Sequence, residues 1–434
     1  MANHSHSAIR PTNVLTRCLL AGAAAAALIA PCGMQARTWT SSDGTKTFEG
    51  ELKSYDPDSG SVGVTLPNGK AMSFNQSKLS EADIAFLKEQ GKVTPESKPA
   101  ASSSSSGIVK NKLPDVLPDH DGKEADMSKP VQVFIMMGQS NMVGMGEVGP
   151  ESKNNSLEYY CKTEKKYPHL IDDAGKWVVR NDVRCAMVTC DNQTGWLEPG
   201  YGAGDKIGPE LGFGHVVGHA IDAPVLLIKA CIGNRSLGWD LLPPGSERFE
   251  EGGKMYAGYK DPQPSWDKGA EPAAGGWYAG KQYDDDTANA KAALADLDSS
   301  YPGAKKYEVA GFVFWQGEKD GGNAVHAAHY EKNLVAFIKQ LRKDFDAPNA
   351  KFVLATLGEA TKGSGGNGGM ILDAHLAVDG AKGKHPEFKG NVATVYSNPL
   401  SNGGSGNGHY GNNAGTYMNV GDAMGRAMVE LLAK

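Results

Sequence analysis

Val131-Gln132-Val133-Phe134-Ile135-Met136-Met137 runs straight into Gly138-Gln139-Ser140-Asn141-Met142. The first seven residues are almost all apolar, which predicts a strand covered on both faces. The glycine and polar residues behind it predict a turn out of the sheet. The same join recurs after Val225 to Cys231 and after Val309 to Trp315; a further strand is read at Phe352 to Leu357, and a last one at Val392 to Tyr396 leads into a glycine-rich loop. Between these runs lie helical patterns. One starts at Pro209, which suits a first helical turn, and runs toward Ile221. Another, Tyr330 to Phe345, has Leu334, Phe337, Ile338 and Leu341 on one face, and Thr416 to Leu432 reads as the closing helix. Strands alternating with helices predict an α/β fold, a mainly parallel sheet with helices on both faces.

Upstream the character changes. The first 36 residues place Arg10 and Arg17 before an apolar stretch from Cys18 to Ile29, and Met34-Gln35-Ala36 offers a small-residue cleavage site. This is the layout of a secretory signal peptide with cleavage after Ala36, so the chain is expected in the periplasm or outside the cell. The alternative of a lipid anchor on Cys32 is disfavoured by Pro31. No later segment gives the ~20 consecutive apolar residues of a membrane helix. Residues 37–90 alternate around Phe48, Leu52, Tyr55, Val62, Val64, Met72 and Phe74, which predicts three short strands in a small β domain. A helix then opens at Ser80, with Asp83 placed to close a capping box. Residues 91–129 contain the unbroken Ser102 to Ser106 run and read as a flexible linker, leaving 130–434 as the large domain. The net charge of -6 offers no basic excess for nucleic acid. Cys161, Cys185, Cys190 and Cys231 remain after cleavage; an exported chain leads us to expect a disulfide among the first three and a buried thiol at Cys231.

Ligands in open parallel sheets bind outside the carboxyl ends of the strands. There the sequence supplies Ser140, the Gly233-Asn234-Arg235 turn, Gln316-Gly317-Glu318 with Asp320 close behind, and His409 in a glycine-rich loop. A hydroxyl, an imidazole, a carboxylate and glycine-flanked N–H groups are what acyl transfer needs. The imidazole takes the hydroxyl proton, the carboxylate orients the imidazole, and the donors stabilise the oxyanion. Gly138-Gln139-Ser140-Asn141-Met142 lacks the closing glycine of the G-x-S-x-G elbow, so an ordinary α/β-hydrolase is disfavoured.

These blocks, with Ile207 to Phe213, Lys229 to Leu237, Trp315 to Glu318 and His409-Tyr410, resemble the SGNH-type esterases of the sialate O-acetylesterase and acetylxylan esterase group. The resemblance implies a flavodoxin-like three-layer sandwich and removal of acetyl groups from sugar hydroxyls without metal or other cofactor. It implies Ser140 as nucleophile, His409 as base, and the Ser140 and Gly233 N–H groups with the Gln316 side chain as oxyanion donors. Gln139, Asn234 and Arg235 complete the expected oxyanion and substrate-binding set. Two departures stand out. Asn234 replaces the second glycine of a common pair, and Gly406 stands where many relatives carry an aspartate three residues before the histidine. The orienting acid is therefore assigned to Glu318, with Asp320 in reserve. Residues 37–90 resemble a Sla-type homology domain, an Src-homology-3-like barrel, over Arg37 to Ser41, Asp43-Gly44, the Phe48 strand and Lys78-Leu79-Ser80, which implies binding, of protein or glycan, or spacing, and not chemistry.

Plainer roles compete with these. Ser140 could merely cap a helix, Glu318 could brace a loop, and Arg235 could be a structural cation. His215 and His219, like His326 and His329, have spacings that could suit a metal, but packing or surface exposure is the stronger expectation. Two other functions compete: a carbohydrate-binding scaffold whose esterase site has decayed, and an esterase for lipid or peptide esters. The sugar itself is not legible.

Overall fold

The computed structural model describes residues 37–57, 60–67, 71–90, 109 and 111–434, so the expected signal peptide lies outside the described residues. The chain forms two compact units, Met1–Ala101 and Ser102–Lys434.

In the small unit, β1 (Arg37–Thr40), β2 (Thr47–Asp56), β3 (Ser61–Thr65) and β4 (Ala71–Asn75) form an antiparallel meander in chain order, followed by α1 (Glu81–Gln90). Hydropathy alternation found the last three strands. It missed β1, in which only Trp39 is buried, with its indole donating to the Gly50 carbonyl at 2.9 Å. No β1–β4 pairing closes this sheet into a barrel among the described residues. Only half of the expected capping box forms: Asp83 N–H donates to Ser80 Oγ at 3.3 Å, but Ser80 N–H donates to the Thr40 carbonyl, and the Asp83 carboxylate accepts instead from the Ser80 hydroxyl at 2.8 Å. The Asp83 carboxylate also accepts from Thr40 N–H and Arg37, tying the helix to the first strand.

The large unit holds a seven-stranded sheet in the order β14 (Val392–Val395), β13 (Lys351–Ala355), β12 (Tyr307–Trp315), β5 (Val131–Gly138), β8 (Val225–Cys231), β6 (Arg180–Met187) and β7 (Thr194–Leu197). All pairings are parallel except β6–β7. Alternation along β5 divides the core. Phe134 and Met136 pack with α3 (Pro209–Ala220) and α9 (Ala414–Leu432), while Val133, Ile135 and Met137 pack with α4 (Lys281–Ala295), α7 (Ala324–Asp344) and α8 (Gly366–Ala377). Each such side chain, fully buried, contributes roughly 1.5–3 kcal/mol.

The five expected strands and three expected helices are present, with ends moved by a few residues. α7 begins well before Tyr330 because Asn323 caps it, its side chain accepting from Val325 and His326 N–H. Strands β6 and β7 were not expected. β6 carries Arg180, Asp182 and Arg184, and Arg180 is buried only because its guanidinium is paired with Asp182.

Two further expectations are corrected. Residues 91–108 and 110 lie outside the described residues, but the rest of the stretch read as linker packs on the large unit. Val109 bridges Ile221, Asn111 Nδ2 donates to His219 O at 2.6 Å, Arg426 holds the Pro114 and Asp115 carbonyls, and Leu117 enters the core. Composition missed this because the large unit supplies the hydrogen-bond partners. Nor does a disulfide form. All four thiols are free; Cys161, Cys185 and Cys231 are buried, whereas Cys190 lies exposed beyond the end of β6.

Candidate active site

The first strand of the sheet, β5, sits between β8 and β12, so the chain winds outward from it in both directions. Loops at the carboxyl ends of these strands diverge and leave a crevice at that switch point. α2 (Ser140–Val143) follows β5, the Gly233 turn follows β8, and α6 (Glu318–Gly321) follows β12.

Gly138 makes the turn into α2 possible. It has φ +149°, and a Cβ there would stand 2.2 Å from the Trp315 carbonyl oxygen. Ser140 is the first residue of α2 and is nearly buried. Its Oγ lies 2.9 Å from His409 Nε2, although the two residues are far apart in sequence. His409, Tyr410 and Gly411 are all left-handed, a conformation costing roughly 1–2 kcal/mol per non-glycine residue. Packing holds it in place: the buried Tyr410 ring stacks on Trp315 at 5.7 Å, and Gly358 N–H donates to its hydroxyl. A Cβ on Gly233 would lie 3.4 Å from Ser140 Cβ, so this backbone stands directly beside the hydroxyl.

The carboxylates are arranged differently from the expectation of a direct bond to the imidazole. Among the described residues, no carboxylate is hydrogen-bonded to His409. Glu318 Oε1 accepts from Asn141 Nδ2 at 2.5 Å, and Asn141 Nδ2 also reaches Gly406 O, in the histidine loop, at 3.1 Å. Tyr417 OH donates to Asn141 Oδ1 at 2.8 Å. Glu318 therefore braces the His409 loop through Asn141. A Cβ built on Gly406 would lie 2.5 Å from Glu318 Oε1, so the Glu318 carboxylate fills the space that an aspartate side chain at 406 would enter. Burial, and next the nearby Glu359 charge, push the Glu318 carboxyl up to about 7 against its own backbone hydrogen bond, and Glu318 Oε2 has no partner.

Asp320 is committed elsewhere. It accepts from Leu237 and Gly238 N–H, each at 2.8 Å, and from Gln316 Nε2 at 2.6 Å. Burial raises its carboxyl to about 6 despite these bonds. It fixes the loop after β8 and makes no bond to His409, so its reserve role as orienting acid is not supported by the geometry.

Gln316 is corrected as an oxyanion donor. It is fully buried, and its amide donates to Asp320, to Arg235 O at 2.8 Å and to Gln139 Oε1 at 3.3 Å, leaving no free hydrogen for a substrate oxygen. Gln139 Oε1 also accepts from Lys319 N–H, so this pair stitches the β5 and β12 loops together. Asn234 has φ +60° and an exposed side chain. The missing second glycine thus sits at a left-handed position, where asparagine is among the best-tolerated replacements. Arg235 donates to Gln282 Oε1 at 3.1 Å and lies over the Trp277 ring at 5.0 Å, while its Nη1 holds the Gly233 and Asn234 carbonyls.

Sequence reasoning overlooked Asn141, Tyr417 and the Lys229–Glu210 pair. Lys229 is fully buried in β8 and donates to Val143 O and Glu210 Oε2, each at 2.7 Å, and to Tyr201 O. Glu210 in turn accepts from Gly208 N–H. A lysine inside an otherwise apolar strand was the available signal, since such a cation needs a partner. Of the paired histidines, His215 packs in the interior against His169 and is held neutral by burial, while His219 is partly exposed.

A three-layer α/β unit with a hydroxyl–imidazole pair at its switch point is the class that fold and site define. The family described as carbohydrate esterase, sialic acid-specific acetylesterase matches residues 130–430, and the chain belongs to it. Among solved structures it is similar to an Arabidopsis thaliana protein at 16% identity, with TM-score 0.41, covering 69% of this chain and 98% of that one. A carbohydrate acetylesterase from Xanthomonas citri matches at 12% identity and TM-score 0.36, over 68% of this chain and 55% of that one. NanS matches at 15% identity and TM-score 0.30, over 53% and 68%. Comparison with curated proteins gave no match. No helix of the described residues is long and apolar enough to cross a membrane.

Proposed function

We propose that this protein is an exported serine esterase that removes O-acetyl groups from carbohydrates. The observation that carries the reading is the 2.9 Å contact between Ser140 Oγ and His409 Nε2 beside the Gly233 backbone. Ser140 Oγ attacks the acetyl carbonyl while His409 Nε2 takes its proton, and the N–H groups of Ser140 and Gly233 receive the oxyanion. His409 then returns the proton to the departing sugar oxygen, leaving an acetyl-serine. Water, deprotonated by His409, releases acetate and restores Ser140. Glu318 acts as a positioning residue, through Asn141 and the backbone of the His409 loop. The small unit serves as a binding module for protein or glycan.

The test is acetate release from acetylated sialic acid, acetylated xylan and an aryl acetate by the chain from Arg37, with chelator present, against Ser140→Ala. Release by the parent that vanishes in the variant supports the reading. Release unchanged by the substitution would assign the chemistry to another nucleophile, and no release by a folded parent would favour a decayed, sugar-binding site.

A further inference from the structure

The chain between β8 and α4 carries an insertion, β9 (Phe249–Glu251), β10 (Lys254–Tyr256) and β11 (Ser265–Asp267), which forms its own antiparallel sheet. Buried Leu242, Ala257, Trp266 and Ala279 give it a small core. Between this insertion and the first turns of α7 lies a cavity of about 120 Å³. That is smaller than the ~150 Å³ closed cavity known to hold benzene, so a larger ring would seat one face in it and leave the other toward solvent. Both of its walls begin at the carboxyl end of the sheet, since the insertion follows β8 and α7 follows the β12 loop.

One wall is aromatic. Phe249 and Tyr256 are cross-strand partners, stacked at 5.1 Å and 10°, and His329 stacks on the other face of the pair at 3.9 Å from Phe249. His329 is fixed by Glu251 at 3.0 Å. The outer face of Tyr256 has no ring partner among the described residues. Three residues with polar side chains, Tyr256, Asn333 and His326, line the same space. His326 lies 3.8 Å from Asp320, and its ring packs under Gly238, where a Cβ would come within 2.5 Å. The loop that touches Ser140 at Gly233 therefore lines this cavity at Gly238.

We propose that this cavity is a second saccharide subsite that holds one pyranose ring, separate from the ester at Ser140. The C–H face of a pyranose is apolar and packs on an aromatic wall, while its equatorial hydroxyls need donors and acceptors at the rim, and the lining residues supply both kinds of group. Choosing a sugar as the ligand rests on the carbohydrate esterase reading above, whereas the cavity itself does not.

Binding is measured by calorimetry with methyl β-glycosides of glucose, galactose, xylose and N-acetylglucosamine, none of which carries an O-acetyl ester, on the Ser140→Ala chain. Tyr256→Ala and Asn333→Ala are compared in the same background. At least one glycoside is expected to bind, and Tyr256→Ala to weaken it about tenfold. With Ser140 intact, Tyr256→Ala should leave aryl acetate hydrolysis unchanged. Failure of the whole panel to bind, or binding untouched by both substitutions, would overturn the proposal. Glycoside binding lost in the Tyr256 variant of a chain that hydrolyses no acetyl ester would support the subsite while refuting the esterase reading.

Discussion

Neutralising Glu318 should separate stability from activity. Its carboxyl is buried, and burial raises it from the ordinary 4.5 to about 7. The folded chain therefore binds this proton more tightly than the unfolded chain between those values, so the contribution of Glu318 to stability is greatest below pH 4.5 and is lost as pH rises toward 7. At ~1.36 kcal/mol per pH unit, this interval makes a loss of about 3 kcal/mol, which levels off above pH 7. Glu318→Gln keeps an oxygen for the Asn141 amide and has nothing to titrate. Denaturant unfolding of parent and variant from pH 4 to 8 should therefore show curves that diverge by about 3 kcal/mol, with the parent falling more steeply. The declines owed to Asp320, raised to about 6, and to Asp286, raised to about 8, remain in both proteins. Activity should drop in the variant, but by less than the ~10⁴-fold seen when a carboxylate bonded directly to a catalytic imidazole is neutralised, because Glu318 acts through Asn141. Parallel stability curves would refute the reasoning, since they would mean that Glu318 does not carry the buried proton.

Two other substitutions test the scaffold under the site. Lys229→Met leaves Glu210 buried without its cation and frees the Val143 carbonyl, so unfolding should show a loss of about 3–5 kcal/mol, partly recovered by Glu210→Gln in the same chain. Gly138→Ala places a Cβ 2.2 Å from Trp315 O at a left-handed φ; strain and overpacking together predict a loss of roughly 2–5 kcal/mol in denaturant unfolding, with esterase activity falling in step.

Much of the fold was legible because its signals are local. Strands β5, β8 and β12 are buried on both faces and read as continuous apolar runs, and α9 shows its apolar stripe directly. Strand β6 was hidden because tertiary pairing buries its charges: Arg180 is legible as interior only once Asp182 and the α3 backbone stand beside it. The strap from Asn111 to Lys129 was hidden for the same reason, its few apolar residues being completed by partners such as Arg426 and His219.

By itself the sequence determined the class of fold, the strand ends at which chemistry could gather, and the residues Ser140, Gly233, Glu318 and His409 as those to watch. Those inferences rest on hydropathy period and on the side-chain chemistry of short segments, which the chain carries wherever it folds. Only tertiary structure decided how these groups pair. It hydrogen-bonded Ser140 to His409, turned Gln316 and Asp320 inward to hold a loop, and set the Glu318 carboxylate beside Gly406. Hydrogen bonds are satisfied in three dimensions, and a buried donor or acceptor takes the nearest partner the packing allows, so the role of a polar residue is fixed by neighbours far away in sequence.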